Sequence, residues 1–288
     1  MSTIVGVHGI SKQQLGPAQL ENQWKPALQD GLIFASGREV GVPPLRMAFY
    51  GELFLNRTRS GASTKGAEPE QWLEHLDDDE EADLVSVASE VVTEQEIEEA
   101  RERPGKAYTR VPLPLQAVLR ALDRRFGPSA GVLYLGELRQ VRRYLRDSRL
   151  KEEVDAVVRK AVSSECEVLI GHSLGSVVAF EFIRRHLDHP LALFLTLGSP
   201  LGLSMVRRLM PDPDYGSAKG LPSQVSAWVN VRDPRDPVAC AGNLHEKWSG
   251  LTEVSSINNE GEAHSITRYL CKRETGAAVL TALPDLVA

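Results

Sequence analysis

The chain is poor in cysteine: its 288 residues hold three, Cys166, Cys240 and Cys271, far apart and with no C-x-x-C pair. That spacing excludes a disulfide framework and supplies no zinc ligand set, so three reduced structural thiols and no metal centre are expected. Long apolar runs are also missing, since none approaches the roughly 20 residues that span a bilayer. The start, Met1-Ser2-Thr3-Ile4-Val5, runs into a strand with no basic or apolar leader region before it, so a cytoplasmic location is the default expectation. Aromatics make up only 6% of the chain and do not interleave with the basic residues, which removes the stacking platform a nucleic-acid binder uses.

A large charge imbalance is absent overall, and the net charge of -6 hides where the acid lies. Residues 68–102 contain fifteen Asp or Glu against one base, Arg101, a local balance of -14 that leaves the rest of the chain at +8. Such a density of like charge with a weak apolar face (Leu84, Val87, Ala88, Val91, Val92) predicts a loosely packed segment. Arg139, Arg142, Arg143 and Arg146 crowd one later stretch, which the acidic segment could neutralise.

What the chain does have is Val168-Leu169-Ile170-Gly171-His172-Ser173-Leu174-Gly175, an apolar strand running into G-x-S-x-G and then a helical pattern. A serine at the tip of a sharp strand-to-helix turn is lifted off the end of a sheet, and glycines at either side let neighbouring backbone pass close. The turn also places Ser173 at a helix N-terminus, where the Leu174 amide faces a developing oxyanion. A second donor is expected on the loop after the first strand, Thr3 to Val7, which ends in His8-Gly9-Ile10; Ile10 or Gly9 would give the amide.

Around these anchors the chain alternates. Helical spacing over 18–36 despite Pro26, a strand over 45–51, a buried strand over 191–200, a strand over 225–231 and another over 252–257 imply a mostly parallel sheet flanked by helices. Between 52 and 160 the alternation stops and helices dominate, with stripes at Leu115, Val118, Leu119, Leu122 and Phe126, at Leu138, Val141 and Leu145, and at Leu150, Val154, Val157 and Val158. The expected organisation is a core from 1–51 and 161–288, with a helical cap over 52–160 that includes the acidic segment.

A serine nucleophile needs a base and an acid to orient it, and in this chain order both follow the serine. The turn Asp233-Pro234-Arg235-Asp236-Pro237-Val238 offers two acids, with Asp236 preferred because Pro237 stiffens its loop and Asp233 able to serve as a loop-stabilising residue. His264 is preferred as base, since it follows one further strand and precedes a helix, whereas His245 comes only nine residues after Asp236.

Taken together, V-H-G-I, G-H-S-L-G-S, L-G-S-P, the D-P-x-D-P-V turn and the late H-S resemble the α/β-hydrolase superfamily, and within it lipase-like and PGAP1-like serine esterases. The likeness covers the first 15 residues and about 160–272, not 52–150. It implies nucleophile Ser173, acid Asp236, base His264, oxyanion amides at Leu174 and Ile10, and no cofactor. The expected activity is hydrolysis of an ester or thioester of a small-molecule or peptidyl acyl donor. A serine peptidase or amidase on the same residues is the alternative, and a non-catalytic binding protein of the same fold is a third.

Overall fold

The computed structural model describes residues 3–9, 15–54, 76–102, 108, 111–210, 221, 223–239 and 242–287. Ile10 and Cys240 lie outside the described residues, as does the start of the acidic segment. Six strands form one all-parallel sheet: β1 (Thr3–Val7), β2 (Leu45–Ala48), β3 (Cys166–His172), β4 (Leu193–Leu197), β5 (Trp228–Val231) and β6 (Leu251–Val254), in the order β2-β1-β3-β4-β5-β6. Register between β1 and β3 sets Val7 against Gly171, and between β3 and β4 sets His172 against Leu197. The molecule is therefore of the α/β class.

The order has one reversal. From β1 the chain crosses through α1 (Pro17–Ser36) to β2 on one side, and then returns to lay β3 on the other side of β1. Connections leaving in opposite directions open a crevice beyond the carboxyl ends of β1 and β3, the place where open parallel sheets hold ligands. His8-Gly9 and Ser173 stand at those two ends.

The strands from β1 to β5 bury alternate residues against two layers, as a sheet covered on both faces must, whereas the edge strand β6 is only partly covered. Ile4, Val168, Ile170, Leu195 and Val231 pack with Leu20, Trp24 and Leu28 of α1 and with Tyr269 and Val279 from α9 (Ile266–Leu270) and α10 (Arg273–Ala282), once the chain's other helices are counted. Val5, Val7, Leu169, Phe194 and Trp228 face the other way. They share one apolar cluster with the helices that follow β2: α2 (Asp78–Ala88), α4 (Leu113–Phe126), α5 (Ala130–Arg146), α6 (Ser148–Ala161), and with α7 (Leu174–His186) and α8 (Ser204–Leu209).

The acidic stretch packs more firmly than its charge suggests. Leu84, Val87 and Ala88 of α2 are fully buried, and Val91 and Val92 join the same cluster. Two carboxylates of α2 are matched by arginines of other helices: Glu80 receives Arg139 at 2.9 Å, and Asp83 receives Arg142 at 2.8 Å and Arg208 at 2.6 Å. Between α2 and α4, α3 (Glu94–Glu102) is tied on by Glu96 to Arg125 at 3.2 Å. Neutralising the like charges across helices removes the repulsion that made the segment look loose.

Candidate active site

Ser173 stands between β3 and α7, at the N-cap of the helix, with φ 53° and ψ -128°. For a non-glycine residue this positive φ is strained, and the surroundings enforce it. A side chain at Gly175 would put its Cβ 2.0 Å from the Val7 carbonyl oxygen, and one at Gly171 would come 2.5 Å from the Ser176 Cα, so only glycine lets the turn close against β1 and α7. The Ser173 amide donates to the Leu197 carbonyl at 3.1 Å, and Ser176 Oγ donates to the Ser173 carbonyl at 2.6 Å, which locks both sides of the turn.

Leu174 is the first residue of α7, so its amide has no intrahelical acceptor and is available at the helix head. Gly9 runs beside the serine: a Cβ there would stand 2.9 Å from that of Ser173. The loop bearing Gly9 is fixed by Tyr50, whose hydroxyl donates to the His8 carbonyl and whose ring stacks on His8 at 4.3 Å. Burial, and then the nearby Glu137 carboxylate, hold the Tyr50 hydroxyl well above its usual range, so it remains a donor.

The structure brings His264 to Asp236. His264 Nδ1 lies 2.8 Å from Oδ2 and 2.9 Å from Oδ1 of Asp236, which also accepts from the Tyr269 hydroxyl at 2.7 Å and from the Val238 amide at 2.9 Å. Among the described residues each hydrogen-bond partner of the acid's carboxylate can donate, and the acid is fully buried. Asp233 is differently employed. It accepts from Arg235 and from the Asn259 amide at 2.5 Å, and although burial pushes its carboxyl up, the Arg235 and Asn259 donors hold it below the usual range. It clamps the loop rather than the histidine.

Beside Tyr50, a second residue joins the site that the sequence motifs do not point to. Glu137, on α5, accepts from Ser173 Oγ at 2.5 Å through Oε2, and its Oε1 lies 3.7 Å from His264 Nε2. Ser173 therefore donates to a carboxylate, while His264 Nε2 is buried without a hydrogen-bond partner among the described residues. Burial alone would depress the imidazole, but Asp236 and then Glu137 outweigh it and raise His264 to about 10. Glu137 could have been noticed in the sequence as the one acid on the apolar stripe of α5. It lies three residues after Tyr134 and four before Val141, both fully buried.

Ser173, His264, Asp236, Leu174 and Gly9 thus converge at the switch point, Asp233 and His245 stay outside the constellation, and Glu137 and Tyr50 join it. No family model, curated protein or solved structure matches this chain.

Proposed function

We propose that the chain is a serine hydrolase of the α/β-hydrolase kind, moving an acyl group from an ester, thioester or amide to water through an acyl-Ser173 intermediate. The observation that carries this reading is a single coincidence at the switch point. A serine held at positive φ on a strand-to-helix turn and a buried His264–Asp236 pair meet at Glu137, with the outer nitrogen of His264 making no hydrogen bond among the described residues and lying 3.7 Å from the Glu137 carboxylate.

With Glu137 drawn off Oγ, Ser173 attacks the acyl carbon and passes its proton to His264 Nε2, while Asp236 holds Nδ1–H and stabilises the imidazolium. The Leu174 amide and an amide of the loop after β1, Gly9 or Ile10, receive the oxyanion; losing one such donor costs on the order of a hundredfold in rate. The imidazolium then protonates the leaving group as its bond to the acyl carbon breaks. A water deprotonated by His264 attacks the same carbon, and as the bond to Oγ breaks the imidazolium returns its proton to Oγ, releasing the acid and restoring Ser173 and His264. Side chains, backbone amides and water supply every step. Cys166 and Cys271 are free thiols, which fits a reducing compartment such as the cytoplasm.

Hydrolysis of p-nitrophenyl acetate tests the reading. Turnover should fall by about three orders of magnitude or more in Ser173→Ala. Undiminished turnover in that variant sinks the assignment.

A further inference from the structure

We infer that Glu137 is a substrate-binding residue, whose carboxylate takes the ammonium group of an acyl donor carrying a free amine on the carbon next to the scissile carbonyl. This deepens the hydrolase reading and rests on it.

Position is the first reason. Glu137 is 2% exposed and touches the nucleophile itself, with its other oxygen directed toward the unpartnered His264 Nε2. A buried carboxylate is costly unless it is matched by a cation. Among the described residues no lysine or arginine pairs with Glu137. The arginines of its own helix are directed elsewhere, Arg139 to Glu80, Arg142 to Asp83 and Arg143 to the Phe54 carbonyl. Among the described residues the one cation beside it is the His264 imidazolium, 3.7 Å away, which the reaction requires as a neutral base.

Anchoring is the second. A lid would swing the carboxylate away, but α5 is a core helix: Tyr134, Leu135, Leu138 and Val141 beside Glu137 are all fully buried, and the arginines on its outer side are pinned to α2. Removing α5 would expose that whole stripe to water. Glu137 can turn its side chain, but its charge stays in the pocket, so the substrate must tolerate it or answer it.

Reach selects which cation. In an attacking geometry the acyl carbon sits about 3 to 3.5 Å from Oγ. A nitrogen two bonds from that carbon is roughly 2.5 Å further at most, by standard bond lengths and angles, within hydrogen-bonding distance of a carboxylate that already touches Oγ. A cation at the end of a long side chain overshoots. An α-ammonium also does chemical work on arrival: by taking over Glu137 it removes one of the two carboxylates that keep His264 charged, so the base is released when the matching substrate binds. The acyl transfer is otherwise unchanged, and the ammonium keeps its protons throughout.

The methyl esters of alanine, N-acetylalanine and propionic acid, compared in wild type and Glu137→Gln, test this. Wild type should prefer the alanine ester by at least about a hundredfold in kcat/KM, because the two analogues leave the carboxylate unpaired. Glu137→Gln should collapse that preference to within about tenfold. A second measurement needs no variant: alaninamide should protect Ser173 of the wild type from a fluorophosphonate, and propionamide should not. Preference for the propionate ester, or protection by neither amide, overturns the inference while leaving the hydrolase reading intact. So does a Glu137→Gln that accelerates all three esters alike, which would make Glu137 a blocking group, or slows all three alike, which would make it a base. If no ester turns over and Ser173 takes no fluorophosphonate, the hydrolase reading falls with it.

Discussion

Asp236 and Asp233 stand three residues apart, both fully buried, yet their surroundings give them separate tasks. Asp236 faces donors that include the imidazole, so Asp236→Asn should leave the fold standing and lower kcat by about three to four orders of magnitude, as a wrong tautomer does. Asp233→Asn should act the other way. It loses charge-assisted bonds to Arg235 and the Asn259 amide, which destabilises the fold by about 1–3 kcal/mol while leaving kcat within tenfold of wild type. Stopped assays on freshly folded variants beside urea melts separate the two, and the reverse ranking would transfer the acid's role to Asp233. The choice between them is legible only in part: each is followed by a proline, and what separates them in the sequence is that Asp233 lies nearer the end of the preceding strand. Glu137 was harder to read. Its neighbours in sequence are arginines and leucines, and only the through-space approach of α5 to the end of β3 makes it part of the site.

At the scale of the element, the helices between β2 and β3 were legible because their stripes are broad, and the burial of Leu115, Leu119 and Leu122 follows the 3.6-residue repeat. α8 is not visible in the sequence, being six residues long, and the packing of α2 is hard to read there because the arginines that match its carboxylates lie far along the chain. Truncation distinguishes the two contributions. Leu119→Ala should cost about 2–5 kcal/mol, as for a fully buried leucine. Asp83→Asn should cost less, about 1–3 kcal/mol for lost bonds to Arg142 and Arg208. Burial raises the Asp83 carboxyl, but the two arginines more than reverse this and lower it. Its contribution is therefore complete above the ordinary carboxylate value of about 4 and is lost only as the pH falls through the depressed folded-state value. Urea melts at neutral and acid pH check both points. An Asp83→Asn variant as stable as wild type at neutral pH would mean that the pairs of Asp83 with Arg142 and Arg208 hold nothing.

For the whole molecule, the alternation of strands and helices was enough to place the chain in the α/β class, and the six parallel strands follow it. The reversal between β1 and β3 could not be read locally, since strand order depends on which side each crossover takes. That reversal brings Gly9, Ser173 and α5 into one crevice from three distant parts of the chain. No described helix is long and apolar enough to cross a membrane. The closed geometry also gives the site a pH dependence of definite sign. His264 is raised to about 10 by Asp236 and Glu137, so at neutral pH it is mostly protonated and becomes a base as the pH climbs. The same shift stabilises the fold fully below the ordinary histidine value of about 6.5, a contribution that fades as the pH rises through about 10.

The measurement that bears most directly on the account is fluorophosphonate labelling of the wild-type chain across pH, with the modified residue located by mass spectrometry. A single adduct on Ser173 is expected, with a rate of formation that increases from neutral toward alkaline pH as His264 gives up its proton. An adduct on another residue, or a folded chain that takes none at any pH in that range, would contradict it.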